Sequence, residues 1–283
     1  MVFLLRPTLF FSVWVMVVIG MASAQMHLVG HPLWITELSW MTFLVFAGLT
    51  LVSSSAFILN QIADKESDAV NQKLFLVGKH ISAERSQSIA KILLISGIVI
   101  SIIGNLFTAI FVGCIYLVWG ILYNQKPFYW KKKPILGWLA NSIVGVFLFS
   151  IGWSLIMKNH TGNGLVTLDM YLFKYMLPYL LCFSSVALLA TIPDMKGDAE
   201  TGDKTFPVVF GKTPTMILSL ILICAAFIVA LNQGDPLAST AALVSIPFFL
   251  FTAIRRMDRD VLRSIRYPIF ILNFFTLSVY PWL

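Results

Sequence analysis

Charged side chains are nearly absent from nine predominantly apolar stretches of the chain: residues 8–23, 38–60, 88–104, 106–123, 136–157, 168–193, 213–231, 236–254 and 267–282. At 1.5 Å per residue a helix of about 20 apolar residues crosses the hydrocarbon core of a bilayer, so the pattern predicts nine spanning helices joined by short connections. Two boundaries rest on little. Asn105 alone separates the third and fourth stretches, and Asp235-Pro236 is the only break between the seventh and eighth, so counts of eight or ten stay open.

Composition fits this pattern and narrows it. Of 283 residues 58% are hydrophobic and 12% are charged, against about 25% charged in soluble chains. The expectation is an all-α polytopic membrane protein, a single integral membrane domain over residues 1–283 with no large soluble part. Basic residues test the count, because short cytoplasmic loops collect Lys and Arg. The loops after spans two, four, six and eight hold 16 of the 20 basic residues, and Arg6 falls on the same side. Such alternation would be lost by miscounting a helix, and it places the N-terminus on the cytoplasmic side. The net charge of +7 follows from that topology and is no sign of nucleic-acid binding, since no basic run lies on a soluble domain.

Other features add little. Arg6, the run 9–21 and Ala22-Ser23-Ala24 have the form of a signal peptide whose removal would leave eight spans. Against it, Arg6-Pro7 directly precedes a run long enough to span. Cys114, Cys182 and Cys224 stand singly in different spans without ligand spacing and read as packing residues. His27 and His31 have an i, i+4 spacing, but Gly30 and Pro32 make the stretch a loop.

Seven of the 13 acidic residues fall in two clusters. At the end of span two, Asn60, Asp64 and Asp68 form N-x-x-x-D-x-x-x-D, a stripe on one helix face. Carboxylates about 6 Å apart repel by roughly 3 kcal/mol at an effective dielectric near 20, and a bound cation removes the penalty. Span six ends in a second D-x-x-x-D, Asp194 and Asp198, followed by Glu200, Asp203 and Lys204, with Pro193 able to kink or restart the helix. Either cluster alone reads equally well as a solvated helix end. Both, however, occupy the corresponding place in two successive four-helix units, spans two to five and six to nine, on the cytoplasmic side. Paired carboxylate sets suit hard cations completed by substrate phosphates, hence Mg²⁺ and a diphosphate. Tyr123 at the end of span four and Lys131 before span five approach the same face; the lysine run by itself is only the positive-inside bias.

On these residues the chain resembles the UbiA-type intramembrane prenyltransferase superfamily. Asn60, Asp64, Asp68 and Asn71 look like its first aspartate motif. Asp194, Asp198, Gly202, Thr205, Pro207 and Gly211 match D-x-x-x-D-x-x-x-G-x-x-T-x-P-x-x-x-G, and Tyr123, Pro127, Lys131 and Pro134 match Y-x-x-x-P-x-x-x-K-x-x-P. Arg6-Pro7 is similar to the Arg-Pro that opens the family's first helix. The resemblance implies nine helices around a central, lipid-accessible cavity and two Mg²⁺ ions held by Asp64, Asp68, Asp194 and Asp198, with Asn60. It also implies an isoprenyl diphosphate contacted by Lys131, Tyr123, Lys204 and Arg6, and an aromatic or lipid-like acceptor that captures the allylic cation. Two departures stand out. The stretch Gln72-Lys73-Leu74-Phe75-Leu76-Val77-Gly78 is shorter than the family's loop and lacks its Arg and Pro, and Tyr129 stands where many members carry Arg. Lost cations suggest a different acceptor or a different end to the reaction. A UbiA-type terpene cyclase, which quenches the cation internally, is therefore the nearest rival, and a cation transporter is the rival from another class.

Overall fold

Our computed structural model describes residues 2–31, 38–71, 77, 78, 80–161 and 170–255. Among these, all the named elements are helical. Helical turns at Val2–Leu5 and Pro7–Leu9 lead into α1 (Phe10–Val29), followed by α2 (Trp40–Ala63), the short α3 (Lys65–Val70), α4 (Ala83–Gly104) and α5 (Leu106–Ile115). From there α5 runs on as a π-helix over Tyr116–Leu122. After the turn Trp130–Lys132 come α6 (Pro134–Thr161), α7 (Met170–Leu189), the turn Ile192–Asp194, and the short α8 (Met195–Glu200) and α9 (Phe206–Phe210). The long α10 (Lys212–Gln233) and α11 (Pro236–Arg255) complete the described fold.

Seven helical segments among the described residues are long and apolar enough to cross a membrane, and Leu106–Leu122 forms a shorter apolar one. They coincide with the first eight expected spans. The ninth, 267–282, lies outside the described residues, as do Lys73, Lys79 and the arginines at 256, 259, 263 and 266. Both doubtful boundaries are real, and each is made by a cap. Asn105 leaves the helical region (φ −165°), and its side-chain oxygen accepts the N–H groups of Phe107 (3.0 Å) and Thr108 (3.3 Å), ending α4 and starting α5. Gly234 closes α10 at φ 68°, and Asp235 accepts the Ala238 N–H at 2.9 Å to open α11.

Helix pairing depends on small residues that let backbones touch, the packing device expected where lipid is as apolar as the side chains. A Cβ on Gly20 would strike the Phe149 carbonyl and one on Gly152 the Val17 carbonyl, so α1 and α6 cross in direct contact. Gly48 and Gly97 do the same for α2 and α4. Ala22, Ser23 and Ala24, the candidate cleavage triplet, are buried within α1. One core joins α1, α2, α5, α6 and α7 around Phe149 and Trp153, and a second joins α7, α10 and α11. Outward faces carry exposed Ile92, Ile95, Ile103, Ile221 and Ile228, as a lipid-facing surface requires.

Candidate functional site

Asp64 ends α2 and begins α3. Its N–H donates to the Asn60 carbonyl and its carbonyl accepts the Asp68 N–H, both at 2.8 Å. The i, i+4 relation therefore survives although the helix breaks at Asp64 (φ −93°, ψ 6°). Asp194 has almost the same backbone conformation (φ −93°, ψ −9°) and precedes α8, another six-residue helix. Here Pro193 does restart the helix, by way of the turn Ile192–Asp194. Each motif thus has one aspartate at a helix start and a second, Asp68 or Asp198, buried one turn later.

Asn71 locks the two motifs together. Its Nδ2 donates to the Asp194 carbonyl at 3.2 Å and its Oδ1 accepts the Gly197 N–H at 2.9 Å. A side chain at Gly197 would overlap the Asn71 amide and the Ser67 carbonyl, so glycine sets how closely α3 and α8 approach. The result concentrates like charge: Asp198 stands in the field of Asp194, Asp64 and Asp203, and Tyr123 in that of Asp64, Asp198 and Asp194.

Cations answer that charge from two sides. Lys131 forms an ion pair with Asp64, its side chain only 5% exposed, while the neighbouring Lys132 reaches Asp203 of the second motif at 2.5 Å. The Asp203 contact raises the Lys132 pKa above the ordinary lysine value against a smaller opposing effect of burial. Tyr129, at φ 42°, places its ring 5.1 Å from the Lys132 ammonium and 5.8 Å from that of Lys131. Arg6, at φ 51°, donates through Nη1 to Asn60 Oδ1 at 3.2 Å and lies 3.6 Å from Asp68 Oδ2 through Nη2. These are the two non-glycine residues with left-handed backbones among the described residues, and both serve this site.

A cavity of about 460 Å³ opens from the aspartates into the helical body. Arg6, Asn60, Asp64, Tyr123, Asn124, Thr191 and Asp194 line its polar end; Val13, Met16, Phe57, Trp119, Phe183, Val186, Ile223 and Phe249 line most of the rest. Of the expected site residues, Asn60, Asp64, Asp194, Tyr123 and Arg6 thus face one space. Asp68, Asp198 and Lys131 are not among the lining residues, and Lys131 is tied to the cavity only through its pair with Asp64. Lys204 is exposed and does not line the cavity; Lys132 makes the contact with the second motif instead.

Three residues escaped the sequence reading. Asn124 accepts from Asn60 Nδ2 at 3.2 Å and donates to the Trp119 carbonyl at 2.6 Å, a carbonyl near the end of the π-helix. Asn141 accepts the Trp119 indole N–H at 3.0 Å, donates to the Gly137 carbonyl at 3.2 Å and lines the cavity with Tyr123. Lys132 had looked like part of an undifferentiated lysine run. Asn141 carried a readable signal, an amide inside an otherwise apolar stretch, of the kind used above only for acids.

The donor chemistry fits Mg²⁺: hard carboxylate oxygens, one set per motif, with a lysine and an arginine already drawn to them as stand-in cations. Among the described residues no three Asp, Glu, His or Cys side chains gather closely enough to hold a metal by themselves. Asn60 is oriented as a donor to Asp64 Oδ2 (2.7 Å), with its oxygen turned to Arg6.

Fold and cavity together define a helical membrane protein with a carboxylate-rimmed, mostly apolar chamber. The model of the UbiA prenyltransferase family matches residues 9–277, and the chain belongs to that family. It is an integral membrane protein. A 2-acylphloroglucinol 4-prenyltransferase of Humulus lupulus is 26% identical over 242 residues, 78% of this chain and 56% of that one. A digeranylgeranylglyceryl phosphate synthase of Methanobrevibacter smithii is 25% identical over 174 residues, 60% of this chain and 58% of that one. The chain spans about half the length of most of the plant relatives it matches. Among solved structures, a UbiA homolog from Archaeoglobus fulgidus bound to GPP and Mg²⁺ has a TM-score of 0.69 over 98% of each chain at 16% identity, a likeness of fold.

Proposed function

We propose that the chain is a Mg²⁺-dependent intramembrane prenyltransferase that moves an isoprenyl group from its diphosphate to an aromatic or lipid-like acceptor. The observation that carries this reading is the cavity itself, with aspartates from two motifs at one end and an apolar, aromatic body beyond. Family membership supports it, as do relatives named for prenyl transfer. On this reading nine helices surround the cavity, with one aspartate motif on each four-helix unit, and the N-terminus and both motifs face the cytoplasm.

Asp64, Asp68, Asp194 and Asp198 would hold two Mg²⁺ ions. Bound there, they supply charge neutralisation for a departing diphosphate. Lys131, Tyr123, Asn60 and Arg6 contact the diphosphate oxygens and orient them. The bond between the first carbon and the bridging oxygen breaks with its electron pair leaving on diphosphate. Phe57 and Trp119, tilted at 46° with centroids 5.5 Å apart, flank the allylic cation and exclude water. The acceptor atom then attacks that carbon, and its proton passes to the released diphosphate. Lys204, exposed and outside the cavity lining, is the weakest of the expected diphosphate contacts.

Diphosphate release by purified protein with Mg²⁺, candidate acceptors and allylic diphosphates tests the reading. Asp64→Asn and Asp194→Asn are each expected to abolish release while the proteins stay folded; full activity of both sinks it. The altered loop and Tyr129 favour the cyclase as the second reading. Formation of a cyclic terpene without acceptor selects it.

A further inference from the structure

We infer that Gln61, which does not line the cavity, is a positioning residue that holds the Arg6 guanidinium at the diphosphate end, a step that rests on the isoprenyl-diphosphate reading above. Arg6 lines the cavity with a left-handed backbone (φ 51°, ψ 60°), which a residue with a side chain keeps only where its surroundings over-determine it. On its C-terminal side Pro7 starts the turn into α1, and the Arg6 carbonyl accepts the Leu9 N–H at 2.9 Å. On its N-terminal side the anchor is Leu4. That side chain is 1% exposed, packed with Ile58 of α2, Val77 and Ala90 of α4. The Leu4 carbonyl lacks the partner its turn would give it, because in the tight turn Val2–Leu5 the donor would come from residue 7, and proline has no N–H. Gln61 supplies one, donating through Nε2 to the Leu4 carbonyl at 2.7 Å.

Gln61 is 4% exposed, and its amide also makes a longer bond within its own helix, to the Phe57 carbonyl at 3.3 Å. What the amide adds to a buried core position is direction: it fixes on α2 the segment that carries Arg6. The neighbouring residue of α2, Asn60, holds the other end. It points about 100° further round the helix, where its Oδ1 accepts Arg6 Nη1 at 3.2 Å, and the Nη2 of the same guanidinium stands 3.6 Å from Asp68 Oδ2. Two adjacent amides therefore clasp the segment, Gln61 by its backbone and Asn60 by its side chain, on the helix that ends at Asp64. Without the Gln61 bond the left-handed turn loses one of its supports, and the guanidinium loses its fixed distance from the first motif.

The test is a double-mutant cycle on the binding of inorganic diphosphate with Mg²⁺, by calorimetry on the full chain in detergent. Arg6→Ala is expected to weaken binding about tenfold, the loss of a charge-assisted contact. Gln61→Met, which keeps the side-chain length and removes the donor, weakens it about fivefold when Arg6 is present and by less than about twofold once Arg6 is alanine. Leu4→Ala loosens the same segment from its apolar side and shows the same dependence on Arg6, so it carries the test if Gln61→Met does not fold. A residue that only stabilised the fold would weaken binding by one factor in both backgrounds, and equal factors therefore overturn the inference. Wild-type affinity in both Gln61→Met and Leu4→Ala overturns it too, as does wild-type affinity in Arg6→Ala. Failure of the wild type to bind inorganic diphosphate with Mg²⁺ overturns the site reading itself. Binding by the wild type without coupling between positions 6 and 61 overturns only the role of Gln61.

Discussion

Lys131 and Asp64 are unequal partners in one ion pair. The lysine side chain is 5% exposed and that of the aspartate 23%, and the aspartate also receives the Asn60 amide at 2.7 Å. Removing the carboxylate therefore strands a buried ammonium, whereas removing the ammonium leaves a carboxylate with a donor and some water. Asp64→Asn is expected to destabilise the protein by roughly 3 kcal/mol and Lys131→Met by about 1 kcal/mol. Unfolding midpoints in one detergent check the order, and the reverse order would mean that the burial is shared differently. Lys132 carries a second test. Its pKa is raised, so the stabilisation from Asp203 is complete below the unfolded lysine value and disappears only as pH climbs through the raised one. The difference in unfolding midpoint between wild type and Lys132→Ala should stay flat from about pH 6 to about pH 9 on account of this lysine. A loss inside that window would contradict the upward shift.

At the scale of elements, the decisive contacts are backbone against backbone. Gly152→Ala forces α1 away from α6, because the added methyl meets the Val17 carbonyl rather than a side chain that could turn. It should cost about 1–3 kcal/mol. Gly197→Ala should separate α3 from α8 and weaken Mg²⁺-dependent diphosphate binding along with stability. Gly113 is the control: a Cβ there meets nothing within 4 Å, and alanine in mid-helix should gain about 0.5–1 kcal/mol. Thermal unfolding of the three variants ranks them. The elements themselves were legible where a single residue decides locally: the Asn105 cap, the Asp235 cap and the Pro193 restart each follow from the chemistry of one side chain. The break at Asp64 was not legible, since no proline or glycine marks it and it arises from packing of α3 on α8 through Asn71. Nor was the π-helix at Tyr116–Leu122, whose wider turn is completed by the Asn124 and Gln125 amides bonding to the Trp119 and Gly120 carbonyls. The carboxylates could be read because acids are rare in an apolar chain. Of the lysines at 131–133 the resemblance singled out only Lys131; the pairing of Lys132 with the second motif depends on the turn Trp130–Lys132, which sends adjacent side chains to different motifs.

Across the whole molecule the cavity is a seam, with Asp64 at the end of α2 on one side and Asp194 following α7 on the other. A ligand spanning both carboxylates binds only the native arrangement and so stabilises all of it. At a concentration of about 100 times its Kd such a ligand adds about 2.7 kcal/mol, which for a chain of this size raises the unfolding midpoint by at least about 5 °C. The composition of that ligand is what the site geometry specifies. On the proposed reading the four aspartates, two per motif, supply part of the shell of two ions and the diphosphate supplies the rest. Mg²⁺ alone should therefore shift the midpoint little, and the donor with chelator should also shift it little, because its charge then faces the aspartates unscreened. The two together should give the full shift in wild type and little of it in Asp194→Asn. If Mg²⁺ alone produces the whole shift, the carboxylates form a complete metal site without substrate, and the division of ligands between protein and diphosphate is wrong.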